Sequence, residues 1–198
     1  MSDPARDAPE RDRRAGFQVV AAMVALMWVA EIVDSLDDHK LDRLGIEPRE
    51  VDGLTGVVAA PFLHAGFDHL LSNTVPFVVL GFVIAFQGAV RVLAVTGIVM
   101  LVGGLGTWLV APSNSLHIGA SGVVFGYAAY LLVRGFFDRS ALELGIGVLV
   151  AAVWGSALAG GLLPQPGISW QGHLFGGIGG VVAARLLART ATTRAAAA

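Results

Sequence analysis

Ser121 lies in Gly119-Ala120-Ser121-Gly122, where a polar loop gives way to an apolar run, and His173 lies at the start of the last such run, in Trp170-Gln171-Gly172-His173. A serine hydroxyl is a competent nucleophile only when a base removes its proton, and histidine is the usual base. The pair points to acyl transfer. A nucleophile at a helix start gains from the first backbone N–H groups, which have no intrahelical partner and point at developing negative charge. His69 and Asn73, at i and i+4, project from one face of an earlier helix and offer side-chain donors for the rest of an oxyanion hole. The acid nearest these groups, Asp68, adjoins His69 rather than His173, so the expected unit is a Ser-His dyad without a third carboxylate. Phe125, one turn beyond Ser121, is placed to stack on the His173 ring. Taken singly, Ser121 reads as a helix cap or packing residue; only the set carries a catalytic reading.

What must position these groups is a membrane bundle. The chain has 198 residues, 55% of them hydrophobic and 14% charged, with a mean hydropathy of +0.71. Of its 15 acidic residues, none lies between His69 and Phe137 and none after Glu143, so long stretches lack what a solvated surface requires. There is no cysteine, which excludes disulfides, thiol nucleophiles and thiolate metal sites. The net charge of −2 and the lack of a basic aromatic patch argue against nucleic acid as a partner. No cofactor or metal is called for.

In chain order, residues 1–16 mix acids, arginines and prolines and read as a disordered cytoplasmic tail. Phe17 to Val33 reads as a retained first helix, and Asp34 to Asp52 as a solvated loop. Gly53 to Phe67 is apolar but broken by Gly56, Pro61 and Gly66, which suits an interfacial first loop. Runs at His69 to Phe86, Val92 to Ala111, Ser121 to Phe137, Ala141 to Leu163 and Ser169 to Leu187 each approach the ~20 residues a spanning helix needs. The expectation is an all-α membrane protein of six transmembrane helices over residues 17–190, followed by a flexible C-terminal tail over 191–198. Ten arginines then fall on one side against Lys40, Arg43 and Arg49 on the other, placing both termini in the cytoplasm. His69, Ser121 and His173 come to one shallow depth near the opposite face. Gly122 and Gly126 on one helix, and Gly172, Gly176 and Gly180 on another, have the spacing that lets membrane helices approach closely.

With these residues assembled, the chain resembles the rhomboid family of intramembrane serine proteases. The family's Gly-x-Ser-Gly is matched by Gly119 to Gly122, its last-helix histidine by His173, and its His-x-x-x-Asn by His69 and Asn73. Phe62-Leu63-His64-Ala65-Gly66-Phe67 is similar to the segment entering the second helix of bacterial members. The resemblance implies a six-helix rhomboid bundle, a nucleophile at Ser121, a base at His173, and oxyanion donors from His69, Asn73 and the Ser121 N–H. It also implies a ring on the base at Phe125, with Gly119, Gly122 and Gly176 in support. The implied partners are the lipid bilayer and single-pass transmembrane substrates cut within or beside the membrane. The chain departs from the family at the first-loop Trp-Arg pair, where it carries Thr55-Gly56. Two rivals remain: a catalytically inactive rhomboid-like protein that binds membrane clients, and a metal or ion transporter using His64, His69, His117 and His173. His64 and His117 otherwise read as loop or surface residues, with His64 a candidate to line the cavity mouth, and Ser72, Ser156 and Ser169 as packing or capping groups.

Overall fold

The structure is a computed structural model that describes residues 4–188, with side chains from residue 9 onward. The tail expected over 191–198 lies outside the described residues, as do residues 1–3. Seven helices follow one another: α1 (Pro4–Leu36), α2 (Gly56–Ala59), α3 (Phe67–Ala85), α4 (Ala89–Val110), α5 (Ser121–Asp138), α6 (Ala141–Gly161) and α7 (Trp170–Leu186). Among the described residues there is no strand, only a single antiparallel bridge between Ile46 and His117.

α1 corrects one expectation. From Pro4 the chain is already helical and runs without a break into the apolar stretch. Composition marked these residues as a tail, but Asp12 and Gly16 make tertiary contacts. The carboxylate of Asp12 accepts from the Ala89 N–H at 3.2 Å, where a negative charge meets the unpaired amides at the start of α4. Gly16 is buried against the turn at Ala85 and Gly88 with no room for a side chain. The stretch expected as a solvated loop is also more structured. It contains a 3₁₀ turn at Leu41–Leu44 and buries Ile46 and Pro48. The first loop continues as a 3₁₀ turn at Asp52–Thr55, α2 and a further turn at Ala60–Phe62, with Val57 seated on Gly104 of α4.

Among the described residues, four helical segments are long and apolar enough to cross a membrane: Pro9–Leu36, Phe67–Ala85, Ala89–Val110 and Ala141–Gly161. Outward-facing Val90, Phe136, Leu142 and Val148 are largely exposed, as lipid-facing side chains should be. The protein is therefore a multi-pass membrane protein. α7, at 17 residues, is shorter than these four, and α5 carries Arg134, Asp138 and two tyrosines within its 18 residues; both helices occupy the interior. α7 packs on both α4 and α5, whereas α6 rests chiefly on α5 and α1 lies against α3 and α4.

Glycine backbone makes the α5–α7 contact. A Cβ on Gly176 would strike the carbonyl of Gly122, and one on Gly180 that of Gly126. No side chain separates these helices. Around them Leu70, Phe77, Val95, Val99, Val123 and Leu131 form the core, and Tyr127 is bonded through its hydroxyl to Thr96 Oγ1 at 2.6 Å. At the other end from Ser121, Arg134 is buried and paired with Asp138 at 3.3 Å and with Glu143 at 2.8 Å. The second pair pins the start of α6 to α5.

Candidate active site

Gly119 turns the chain into α5 with φ at +111°, a left-handed conformation that glycine adopts without penalty. Space requires glycine there as well, because a Cβ would lie 2.7 Å from Cε1 of His69. The turn is held by the Gly119 N–H donating to Ala60 at 2.9 Å. Ser121 is thus the first residue of α5, where its own N–H has no intrahelical acceptor. α7 begins with Ser169, whose Oγ accepts from the Gly172 N–H at 3.2 Å and so caps the helix that carries His173.

The two chemical groups meet. His173 Nε2 lies 2.8 Å from Ser121 Oγ. On its other side His173 Nδ1 lies 2.7 Å from the carbonyl oxygen of Gly161, the last residue of α6. A carbonyl can only accept, so Nδ1 carries the hydrogen and Nε2 presents its lone pair to the serine hydroxyl. The Phe125 ring stacks on the imidazole at 4.0 Å between centroids, with the planes 5° apart. A backbone carbonyl and an aromatic face thus hold the ring where a triad would use a carboxylate.

His69 and Asn73 face the same space. Nδ1 of His69 accepts from the Ala65 N–H at 3.3 Å, which leaves Nε2 as the protonated nitrogen, a donor beside Gly119. Asn73, nearly buried, donates one amide hydrogen to the His69 carbonyl at 2.9 Å and keeps a second. With Ser121, His173, Ser72, His117 and Ser169 they line a cavity of about 630 Å³. This arrangement can take a proton from Ser121 and surround an oxygen with donors.

Three residues take parts beyond those expected of them. His64 is not a surface residue: it is 1% exposed, packs its ring edge-on to His69 at 5.1 Å, and accepts from the Ala120 N–H at 3.4 Å. Burial pushes its imidazole down to about 4, so it remains a neutral acceptor beneath the Ser121 loop. His117 bridges the two helix starts, with Nδ1 2.7 Å from Ser169 Oγ and Nε2 2.8 Å from Ser115 Oγ. Ser169 therefore has a histidine partner besides its capping role. Gly161 is the third; a backbone carbonyl leaves no mark in a sequence. Among the described residues, His64, His69, His117 and His173 do not form a group that could share a metal ion.

The rhomboid-domain family model matches residues 52–190, most of the chain and every helix after α1. The chain belongs to the rhomboid family. This rhomboid is 46% identical over 180 residues to an uncharacterized protein of Mycobacterium tuberculosis, covering 87% of this chain and 75% of that protein. It is 42% identical over 191 residues to an uncharacterized protein of Mycobacterium leprae, covering 90% of this chain and 75% of the relative. It is also 28% identical over 174 residues to a Bacillus subtilis protein that carries the name rhomboid protease YdcA, covering 83% and 85%. All of the site residues fall inside the matched rhomboid region. α1, which supplies none of them, precedes it.

Proposed function

We propose that this rhomboid is an intramembrane serine endopeptidase that cleaves single-pass membrane proteins within or beside their transmembrane segments. The observation that carries the reading is the 2.8 Å contact between His173 Nε2 and Ser121 Oγ, with the imidazole tautomer set by Gly161. Nε2 takes the hydroxyl proton as Oγ bonds to the scissile carbonyl carbon. The carbonyl oxygen becomes an oxyanion, met by the Ser121 N–H, His69 Nε2–H and the free Asn73 amide hydrogen. As the intermediate collapses, the C–N bond breaks and the imidazolium returns its proton to the departing amine. Water then enters the cavity, gives its proton to Nε2, attacks the ester carbon and releases the new carboxyl terminus, while Ser121 regains its hydrogen.

In this reading α1, α3, α4, α5, α6 and α7 are six spans and both termini are cytoplasmic, as the arginine distribution favours. The cavity then opens toward the extracytoplasmic side, the source of hydrolytic water. Purified protein treated with a serine-directed fluorophosphonate should be labelled at Ser121 and should cleave a transmembrane reporter. Ser121→Ala should lose both. Cleavage that survives in that variant ends the reading; client binding without turnover in the unaltered protein supports the inactive, client-binding alternative.

A further inference from the structure

A second group of ionisable side chains lies at the C-terminal end of α1, unused by the dyad. Asp34, His39 and Asp42 each bring one potential ligand atom within 4.8 Å of the others. Asp38 and His39 both adopt positive φ, 52° and 57°, which swings the imidazole back over the helix end until His39 Nδ1 is 3.4 Å from Asp34 Oδ2. Asp34 is 2% exposed, and its other oxygen accepts from the Leu41 N–H at 2.7 Å, so it faces the loop and not lipid.

Glu31, one turn earlier on the same face of α1, is 1% exposed, and its Oε2 has no hydrogen-bond partner. It stands close enough to Asp42 for its charge to bear on that carboxylate. Oδ1 of Asp42 is likewise buried without a partner. Asp34 and Asp42 thus bring acceptors together, with Glu31 buried one turn earlier on α1, and the neighbouring Lys40 pairs with Asp37 instead, at 2.6 Å. Buried negative charge of this kind calls for a compensating cation.

We propose that Asp34, His39 and Asp42, backed by Glu31, bind a divalent cation of the zinc or manganese kind, fastening the first loop to the end of α1. Two carboxylates and an imidazole fit that class better than calcium or magnesium, which favour all-oxygen shells. Because Asp42 also lines the large cavity, the bound ion would stiffen one wall of it. The site stands independently of the protease reading.

The test uses the full chain in detergent, purified without a polyhistidine tag, stripped with a chelator and dialysed against Zn²⁺ or Mn²⁺. Elemental analysis should find about one ion per chain, and thermal unfolding should move to higher temperature on loading. Asp42→Asn, on a partly exposed loop, and Asp34→Asn, which keeps an oxygen for the Leu41 N–H, should each retain less than about a tenth of the metal and lose the thermal shift. Unchanged helical circular dichroism would show that both variants fold. No retained metal in the unaltered protein, or equal retention in Asp42→Asn, overturns the site.

Discussion

Gly161 ends α6 with its carbonyl oxygen 2.7 Å from His173 Nδ1, and its Cα has no space for a methyl group. A Cβ there would lie 2.6 Å from Phe125 Cζ and 3.0 Å from His173 Nδ1. Gly161→Ala should therefore push the stacked rings apart and turn the imidazole off its line to Ser121. Displacements near 1 Å cost about 100-fold in rate. We expect kcat to fall by about that factor with KM and thermal stability little changed. Kinetics on a transmembrane reporter would check it, and unaltered kcat would refute the positioning role of Gly161.

The oxyanion donors should be separable from the nucleophile. Asn73→Ala and His69→Ala should each lower kcat by about 10²–10³-fold, the usual cost of one donor. Asn73→Asp, which keeps shape but removes the amide hydrogens, should lose as much as Asn73→Ala. Equal activity in Asn73→Asp and the unaltered protein would place the oxyanion elsewhere.

Acid should switch the proposed activity off. Nε2 of His173 serves as an acceptor only when unprotonated, so kcat/KM should decline with a slope of one proton as pH falls through the histidine range. Burial keeps His64 neutral down to about 4, so it should not set this limb; burial also pushes His117 down, and substitution separates it from the base. His117→Asn should leave its midpoint in place. A profile flat from pH 8 to 5, or one whose limb moves with His117, would contradict the assignment of the base.

At the far end of the bundle, Glu143→Ala should leave the Arg134 guanidinium buried beside Asp138 alone. Removing one partner of a buried pair costs about 3–5 kcal/mol. Because the Arg134–Glu143 pair holds α6 to α5, the loss should appear as a lower unfolding midpoint in detergent. Reporter cleavage should fall with it, since α6 carries Gly161. Unchanged stability in Glu143→Ala would show that this pair does not hold α6.

Helix–helix approach can be tested at Gly176. A Cβ there meets the Gly122 carbonyl, so Gly176→Val should separate α5 from α7 and abolish the Ser121–His173 contact. Fluorophosphonate labelling should drop to the level of Ser121→Ala. Gly177→Ala, next along the helix with an ordinary contact at 4.0 Å to Ala129, should behave as the unaltered protein. Labelling that survives in Gly176→Val would count against the glycine interface.

The meeting of Ser121, His173, His69 and Asn73 was legible in the sequence because hydropathy fixes depth, topology fixes which ends share a face, and glycine spacing fixes which helices touch. Helix limits from Phe67 onward followed for the same reason. What the sequence did not reveal depends on backbone atoms and on distant contacts. The Gly161 carbonyl has no residue type to announce it. The helical Pro4–Ala15 stretch depends on Asp12 reaching α4, and the burial of His64 depends on the Gly119 turn folding over it. The Asp34–His39–Asp42 cluster hides for another reason: two left-handed residues in succession bring the imidazole back, and composition reads the same acids as solvated.

The lopsided attachment of α6 sets a working order for the molecule. α5 and α7 interlock through bare backbone, and α6 is held to α5 at Gly135 and Gly147, while its last turns toward Gly161 bury none of their residues. A substrate that shoulders α6 aside would carry the Gly161 oxygen off His173 in the same movement, leaving the ring free to rotate. Admission and cutting would then be successive acts: the blade is loose while the door stands open and is locked only once it shuts.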